Sequence, residues 1–284
     1  MGFRPYVFRL ASEFGIKGWV QNQLGEVEIL AQGPAGTLDE FQQELVSRAP
    51  PLSRPSLESA TDTSEPTETV FRIIDSASGS EARIHVPPDY FTCDDCVREL
   101  KDPSDRRYRY PFINCTQCGP RYTLIRAMPY DRPNTSMAEF PLCESCLEEY
   151  RDPADRRFHA EPVACPVCGP SLVFADGQRC VTGNEAAMAA CVESLRSGAV
   201  IAVKGIGGYH LVCDARSDEP VKRLRSTKPR PDKPLAVMFP MTGDDGLEAV
   251  RRETDPEASE AQRLIRPDRP IVLIKKRSGG SLSD

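Results

Sequence analysis

The sequence predicts a multidomain α+β protein in which a metal-binding repeat separates two mixed helix–strand regions. Three observations support this fold class. The chain has 284 residues, enough for two or three domains of about 100–150 residues. Four cysteines recur at the same spacing in two copies near the centre of the chain. Strand-like and helix-like patterns occur on both sides of these copies.

The composition is that of a globular protein with many loops. Hydrophobic residues make up 39% of the chain and charged residues 27%, whereas proline, at 26 residues, is nearly twice its usual share of about 5%. The net charge of −6 argues against binding nucleic acid over the whole surface, although a local basic patch can hold phosphates. No apolar run reaches the ~18 residues of a transmembrane helix, and no signal-peptide pattern is present. We therefore expect a soluble, cytoplasmic protein whose eleven cysteines stay reduced.

Residues 93–120 and 143–170 form an internal repeat. The two segments read CDDCVRELKDPSDRRYRYPFINCTQCGP and CESCLEEYRDPADRRFHAEPVACPVCGP, and twelve of their 28 aligned positions are identical. Each copy has the form C-x2-C-x18-C-x2-C. Two CxxC turns can place four thiolates around one tetrahedral ion and leave no open position for a substrate, so we expect a structural metal. Because these segments contain few large apolar residues, metal binding has to replace a hydrophobic core.

The expected cofactor of the repeat is a pair of structural Zn²⁺ ions. The ligands predicted for the first ion are Cys93, Cys96, Cys115 and Cys118. The ligands predicted for the second ion are Cys143, Cys146, Cys165 and Cys168. The spacing leaves open an interleaved pairing with the same ligands, as in DnaJ-type modules. It also leaves open disulfides or free thiols, and an iron–sulfur cluster.

Four further residues of these types have less definite roles. His159 lies inside the second copy and is either a substitute ligand or, since four cysteines are already present, a surface or neighbouring histidine. Cys180, Cys191 and Cys213 have no partner at metal spacing. Cys191 and Cys213 lie in apolar sequence and are expected to be small buried hydrophobic residues.

The region before the repeat predicts an α+β sandwich of about 75 residues, within the usual size of a small domain. The predicted elements are helices at residues 5–14 and 37–46 and strands at residues 17–23, 26–31, 56–60 and 70–74. Pro5 suits the first turn of a helix, and Leu24-Gly25 suits a hairpin turn between two alternating strands. Thr37, with Glu40 three residues on, is expected to cap the second helix.

The stretch GFRPYVFRLASEFGIKGWVQNQLGEVEILAQG resembles the acylphosphatase domain that opens HypF-type carbamoyltransferases. The resemblance implies that Arg4 grips an acyl-phosphate and that Asn22 orients the attacking water. A planar guanidinium is suited to clamp phosphoryl oxygens. The family's domain is a ferredoxin-like sandwich, and its first strand is missing here because only Met1, Gly2 and Phe3 precede Arg4. Without this interior strand, we expect unpaired backbone groups in its neighbours.

The region after the repeat predicts an α/β arrangement with a basic stretch. Residues 171–184 predict a linker or short hairpin, residues 185–196 an amphipathic helix ended by Gly198, and residues 199–203 a strand. The glycines of KGIGGYHLVCDA indicate a loop where backbone approaches a ligand closely. By itself, the basic run in VKRLRSTKPRPDKPLAVMF is typical of a solvated helix end or loop.

Together, KGIGGYHLVCDA and LRSTKPRPDKPLAVM resemble the YrdC-like domain found in HypF-type proteins. That domain uses a basic cavity to bind ATP and form a carbamoyl-adenylate. The resemblance implies phosphate contacts from Lys204, Arg225, Lys228, Arg230 and Lys233. It also implies that ATP acts with Mg²⁺ as a co-substrate in the full-length protein.

The order of acylphosphatase, double four-cysteine repeat and YrdC-like region resembles HypF-type proteins over the whole chain. The resemblance implies domains at residues 1–80, 85–172 and 184–284, the first truncated at its N-terminal side and the last at its C-terminal side. It also implies an ATP-dependent, AMP-forming carbamoyltransferase of [NiFe]-hydrogenase maturation. Such an enzyme uses carbamoyl phosphate and ATP to carbamoylate the C-terminal cysteine of a HypE-type partner protein.

Two other functions stay open at this point. The chain is alternatively a zinc-dependent protein- or RNA-binding module, with double-stranded RNA on its basic surface; steeply salt-dependent RNA binding would favour this function. A third possibility is a simple acylphosphatase, which would hydrolyse acetyl or benzoyl phosphate without ATP or zinc.

Overall fold

The computed structural model describes residues 2–23, 26–50, 53, 55–74, 88–128, 130–205, 207–228, 233–266 and 268–283. The chain divides into two compact units, Met1–Pro170 and Ser171–Asp284. Within the described ranges, no helix is long and apolar enough to cross a membrane.

The first unit begins with a three-stranded sheet that carries two helices. Its elements, in chain order, are α1 (Phe3–Glu13), β1 (Lys17–Asn22), β2 (Val27–Gln32), α2 (Ala35–Ser47) and β3 (Phe71–Ile73). The strand order is β2-β1-β3, with β2 antiparallel and β3 parallel to β1. The sequence predicted both helices, the hairpin strands and the strand near residue 70. The hairpin turn predicted at residues 24–25 lies outside the described residues.

Apolar residues at helical spacing on α1 build the core of this region. Val7 and Leu10 on α1 pack with Val20 of β1 and Phe41 of α2, and all four side chains are buried. Gly18 allows the hairpin strands to approach each other, because a Cβ atom there would lie 2.0 Å from the Leu30 carbonyl oxygen. The repeating apolar positions therefore fix how the helices cover the sheet.

Two expectations for this region are wrong. Residues 56–60 form no strand and are exposed, because the segment is polar and offers no alternating apolar face to bury. Thr37 does not cap α2, since the helix begins two residues earlier at Ala35 and the Leu38 amide donates to the Pro34 carbonyl at 3.0 Å. Proline fixes its own φ near the value that leads into a helix, so the chain starts α2 without a side-chain cap.

Strand β1 is hydrogen-bonded to a neighbouring strand on each side. The Gly18 amide donates to the Val70 carbonyl at 3.1 Å, and the Ile74 amide donates to the Val20 carbonyl at 3.1 Å. The unpaired groups expected beside a missing first strand are therefore not found along β1. Within the described residues, β2 and β3 form the edges of this sheet.

The repeat follows in the same unit as two short helices with long connecting loops. α3 (Asp94–Lys101) and α4 (Glu144–Arg151) each begin immediately after the first cysteine of their copy. After each helix the chain turns back at a residue with positive φ, Arg109 in the first copy and His159 in the second. Their amides donate to carbonyls of the preceding helices at 2.9 Å and 3.0 Å. The two copies therefore have the same backbone path, as their sequence identity predicts.

The second unit contains two hairpins and four helices among its described residues. Its elements are β4 (Val173–Ala175), β5 (Cys180–Thr182), α5 (Asn184–Arg196), β6 (Ile201–Gly205), β7 (Gly208–Val212), α6 (Asp218–Thr227), α7 (Glu248–Glu253) and α8 (Ala258–Leu264). The predicted linker or hairpin at residues 171–184 is the β4–β5 hairpin. The predicted helix and strand after it correspond to α5 and β6, and β6 pairs with β7 across the glycine-rich loop.

Candidate metal centres and neighbouring sites

The four cysteines of the first copy converge on one point. Sγ–Sγ distances are 3.7 Å between Cys93 and Cys115, 3.8 Å between Cys115 and Cys118, and 3.6 Å between Cys118 and Cys96. A tetrahedral ion with metal–sulfur bonds of about 2.3 Å requires neighbouring sulfurs about 3.8 Å apart. The side chains of the first copy therefore already have the spacing of a tetrahedral thiolate site.

The second copy repeats this arrangement. Its Sγ–Sγ distances are 3.7 Å from Cys143 to Cys165 and 3.7 Å from Cys165 to Cys168. Cys146 completes the group, and all four ligand atoms lie within 4.8 Å of one another. The structure thus groups the cysteines within each copy, as predicted, rather than in the interleaved pairing.

The donor sets fit a soft or borderline divalent cation. Each group consists of four thiols without a carboxylate or imidazole, and all eight side chains are buried or half-buried. Burial raises the pKa of the Cys146 thiol to about 12, although Arg106 and Arg107 beside it act in the opposite direction. A bound cation would favour the thiolate forms, since metals bind the deprotonated sulfur.

Two arginines of the first copy reach into the metal centre of the second. Arg106 and Arg107 each donate from Nη2 to the Cys146 sulfur, at 3.3 Å and 3.4 Å. Both guanidinium groups also pair with Glu149 of α4, one turn after Cys146. Arg107 Nε donates to the Ala164 carbonyl at 2.9 Å, directly before Cys165. Arg107 therefore links both CxxC turns of the other copy.

The second copy makes corresponding contacts to the first, although there only Arg156 reaches the cysteine sulfur. Arg156 donates to the Cys96 sulfur at 3.2 Å and 3.3 Å. Arg156 and Arg157 both pair with Glu99 of α3. Arg157 Nε donates to the Asn114 carbonyl at 3.2 Å, directly before Cys115. The arginine contacts between the copies are therefore reciprocal. Each residue that takes part lies fifty positions from its counterpart in the other copy.

These ion pairs keep both carboxylates ionised. Burial alone would raise the pKa of Glu149, but hydrogen bonds from Arg107 and Arg106 outweigh it and hold the pKa at about 2. Burial likewise opposes ionisation of Glu99, and Arg156 and Arg157 hold its pKa below the ordinary value. The same pairing raises the pKa of Arg156 and Arg106 despite their burial. Arg106, Arg107 and Arg156 are thus charged beside the thiol groups.

No role for these arginines was predicted from the sequence. The available signal was the Asp-Arg-Arg sequence at residues 105–107 and 155–157, which is identical in both copies. The aspartates have a local role, since Asp105 and Asp155 accept hydrogen bonds from the amides of Arg107 and Arg157. The turn they form directs the arginines away from their own copy.

The other candidate ligands lie outside both groups in the described structure. His159 is exposed and rests against the rings of Tyr150 and Phe158, 4.9 Å and 4.4 Å between centroids. It is therefore the surface histidine that the sequence favoured. Cys180 is exposed, whereas Cys191 and Cys213 are half-buried. Of the latter two, Cys191 packs against the core cluster of the second unit.

Arg4 and Asn22 come to the same end of the first sheet. Arg4 lies in the first turn of α1, and its Nη1 donates to the Ile74 carbonyl, 3.5 Å away, directly after β3. Asn22 is the last residue of β1. Because β1 and β3 are parallel, their carboxyl ends lie at one edge of the sheet. The two residues are therefore positioned around a common edge, with Gly2 at the start of α1.

The predicted phosphate contacts of the second unit lie on separate elements. Lys204 lies on β6, with its ammonium 5.1 Å from the ring centre of Tyr209 on β7. Arg225 is in the last turn of α6, and Lys228 is the residue that ends this helix. Lys233 is exposed, and Arg230 lies outside the described residues. The structure brings Arg225 and Lys228 together at one helix end.

Three family profiles match the chain in succession. The acylphosphatase profile matches residues 1–73. The profile described as HypF finger matches residues 92–125 and again residues 142–175. The Sua5/YciO/YrdC profile, described as telomere recombination, matches residues 193–284. The three matches follow the three regions in order.

Curated relatives match nearly the whole chain. Carbamoyltransferase HypF2 of Cupriavidus necator is 50% identical over 282 residues, which are 98% of this chain and 34% of that protein. Carbamoyltransferase HypF of Synechocystis sp. is 48% identical over 281 residues, 98% of this chain and 36% of that protein. The chain belongs to the HypF family. It spans about a third of the length of these HypF relatives.

Solved HypF structures have the same fold. A full-length HypF in a phosphate- and nucleotide-bound form matches with a TM-score of 0.80 at 39% identity, covering 100% of this chain and 37% of that one. The HypF of T. kodakarensis matches with a TM-score of 0.80 at 40% identity, covering 100% of this chain and 36% of that one. The acylphosphatase-like region, the two four-cysteine groups and the partial YrdC-like region are therefore features of a HypF fold.

Proposed function

We propose that this chain forms part of a carbamoyltransferase of [NiFe]-hydrogenase maturation. The observation that supports this function best is the order of the three regions of the chain. A protein named carbamoyltransferase HypF2 is 50% identical to the chain across all three. We further propose domains at residues 1–80, 85–172 and 184–284, and a cytoplasmic location.

The proposed reaction has three steps. Water cleaves the acyl-phosphate bond of carbamoyl phosphate, which gives carbamate and inorganic phosphate. Carbamate then displaces pyrophosphate from ATP and forms a carbamoyl-adenylate. In the complete protein, the carbamoyl group is transferred to the C-terminal cysteine thiol of a HypE-type partner, and AMP leaves.

Arg4 and Asn22 are proposed for the first step. The Arg4 guanidinium would hold two phosphoryl oxygens, since its planar donors match that geometry. The Asn22 amide would orient the attacking water by hydrogen bonding. Both lie at the same edge of the sheet, and the Gly2 turn leaves backbone there without a side chain. These contacts fit an acyl-phosphate bound across the ends of β1 and β3.

Two Zn²⁺ ions are proposed for the repeat. Cys93, Cys96, Cys115 and Cys118 would hold one ion, and Cys143, Cys146, Cys165 and Cys168 would hold the other. Four sulfurs at tetrahedral spacing suit Zn²⁺ and fill its coordination shell, so each ion would be structural. The metal would supply folding free energy to a region whose buried core combines cysteine and arginine side chains with a small number of apolar residues.

ATP with Mg²⁺ is proposed as the co-substrate of the second unit. Lys204, Arg225, Lys228, Arg230 and Lys233 would contact its phosphates. A nucleotide-bound HypF relative supports nucleotide binding in this family. The double-stranded RNA binding expected from the same basic residues has no support from the relatives named above, which are described as carbamoyltransferases or HypF proteins.

The first step is tested by phosphate release from carbamoyl phosphate. We expect release by this chain above the uncatalysed rate, and its loss in both Arg4→Ala and Asn22→Ala variants. Arg48→Ala is the matched control, because Arg48 is an exposed arginine that pairs with Glu13. Release that persists in both site variants, or that is absent from the unaltered chain, would contradict the assignment of this site.

A further inference from the structure

We propose that the two metal centres are energetically coupled through the exchanged arginines, so that each copy of the repeat stabilises the ion held by the other. The inference rests on the metal assignment proposed above. It concerns Arg106, Arg107, Arg156 and Arg157, none of which lies in the CxxC turns themselves.

A loaded metal centre of this kind carries net negative charge. An ion of charge +2 bound by four thiolates leaves a site with net charge −2, which is costly in a buried position unless cations lie nearby. At the second centre those cations come from the first copy, with Arg106 and Arg107 on the sulfur of Cys146. At the first centre, Arg156 of the second copy contacts the sulfur of Cys96. The guanidinium groups that contact the sulfurs of Cys146 and Cys96 therefore come from the other copy.

The geometry of the exchanged arginines also connects the two copies. The Arg107 guanidinium binds the second cysteine of the other copy and the carbonyl that precedes the third, at Ala164. It thereby holds the two CxxC turns at a fixed separation. Loss of a group that orients a metal ligand typically lowers metal affinity by about 10–100-fold. In the opposite direction, Arg157 binds the Asn114 carbonyl before Cys115 and the Glu99 carboxylate on the helix that contains Cys96.

Neither Arg107 nor Arg157 can relax into solvent. Only 1% of the Arg107 side chain and 4% of the Arg157 side chain are exposed. When one centre loses its ion, the helix that holds its glutamate loosens, and a guanidinium of the other copy loses its partners. Because that guanidinium belongs to the loop joining the two CxxC turns of its own copy, loss of one ion weakens the other site.

The experiment measures protection of individual cysteines. The complete zinc-loaded chain is challenged with a competing chelator and pulsed with iodoacetamide, and mass spectrometry then quantifies labelling of each cysteine. Arg107→Lys and Arg157→Lys keep the positive charge but lose the forked donor geometry. Arg98→Lys and Arg151→Lys are the matched controls, since both are exposed residues of α3 and α4.

Each arginine substitution is expected to expose the cysteines of the other copy. Arg107→Lys should speed labelling of the second group, Cys143 to Cys168, about tenfold, with a smaller effect on the first group. Arg157→Lys should do the same to the first group, Cys93 to Cys118, and the controls should match the unaltered chain. Glu149→Gln, which removes the anchor of Arg107 without adding bulk, should resemble Arg107→Lys.

A direct test of coupling removes one centre. In a Cys115→Ser/Cys118→Ser variant, the remaining second centre should lose zinc about tenfold faster than in the unaltered chain. Unchanged release there, or labelling that increases only within the copy that carries the arginine substitution, would overturn the coupling. An unaltered chain that binds no zinc would instead refute the metal assignment, and the coupling would fail with it.

Discussion

The guanidinium of Arg107 and the carboxylate of Glu149 form an ion pair between the two copies of the repeat, with Arg107 Nη1 3.0 Å from Glu149 Oε1. Only 1% of the arginine side chain and 19% of the glutamate side chain are exposed. The pair therefore lies where water screens it poorly, and either charge left alone would be costly. The two copies of the repeat are therefore joined by a buried ion pair.

Loss of the Glu149 carboxylate is expected to destabilise the repeat. Glu149→Ala leaves the buried Arg107 charge without its counter-ion, which should lower the free energy of unfolding by about 3 kcal/mol or more. Denaturant unfolding of the zinc-loaded chain, followed by near-ultraviolet circular dichroism, measures this change. The control is Glu139→Ala, because the Glu139 side chain is 65% exposed in its pair with Arg126 and should cost less than about 1 kcal/mol. Equal effects of the two substitutions would contradict this account.

The stability of the repeat should also depend on the ionisation of Glu161. This carboxyl is buried, and burial raises its pKa above the ordinary 4.5 although Tyr150 and the Arg132 amide donate to it. A raised pKa in the folded state means that folding opposes ionisation. The contribution of protonated Glu161 to the free energy of unfolding is fully present below about pH 4.5. It is lost as pH rises through the raised pKa.

The measurement for Glu161 compares unfolding free energies across pH. The unaltered chain should lose stability relative to Glu161→Gln as pH increases from about 5, because the amide cannot ionise. Glu139→Gln is the control, since Glu139 is exposed and should leave the pH profile unchanged. Parallel curves for Glu161→Gln and the unaltered chain would show that this carboxyl does not titrate differently on folding.

Gly18 should tolerate no side chain. It has φ of +132°, and an added Cβ would meet the backbone oxygen of Leu30 at 2.0 Å. Gly18→Ala should therefore cost about 2 kcal/mol or more in the stability of the first sheet. Gly36→Ala makes the same chemical change in α2 where nothing lies within 4 Å, and it should be neutral or stabilise the chain by up to about 1 kcal/mol. Thermal unfolding of both variants measures the difference. Equal midpoint temperatures for Gly18→Ala and Gly36→Ala would contradict the prediction.

Removal of metal should unfold the repeat selectively. The buried core there includes Cys96, Cys115 and Cys118 together with Tyr110 and Ile113, so loss of the ions removes its main cross-links. After chelation, amide hydrogen exchange in α3 and α4 should approach the rate of an unfolded chain, while β6 and β7 keep their protection. Retained protection in α3 and α4 without metal would show that the arginine pairs alone hold the repeat.

The sequence predicts the parts of this molecule that depend on local spacing. The CxxC turns, the apolar period of α1 and the alternating strands β1 and β2 each follow from residues close in the chain. The four-cysteine groups were predictable as well, because duplicated spacing leaves few ways to build a tetrahedral site. Their pairing within each copy needed the structure, since the interleaved alternative uses the same ligands.

The missed features depend on contacts that spacing does not encode. Arg107 and Glu149 are 42 residues apart, and nothing in the sequence alone states which carboxylate an arginine will meet. The absence of a strand at residues 56–60 has a different cause, since Ser and Ala there fit an extended backbone but bury no apolar face. The residues proposed to bind ATP remain a prediction, as do Arg4 and Asn22.

The metal content of chains that lack one copy's ligands shows whether each metal centre is built within one copy. The unaltered chain should contain two zinc ions by elemental analysis, and a Cys93→Ser/Cys115→Ser variant, which disrupts both CxxC turns of the first copy, should contain one. In an interleaved pairing, those two cysteines belong to different sites, so the variant would have no complete site and would contain no zinc. A variant with no bound zinc, or an unaltered chain with fewer than two ions, would contradict two metal centres built within the copies and joined by exchanged arginines.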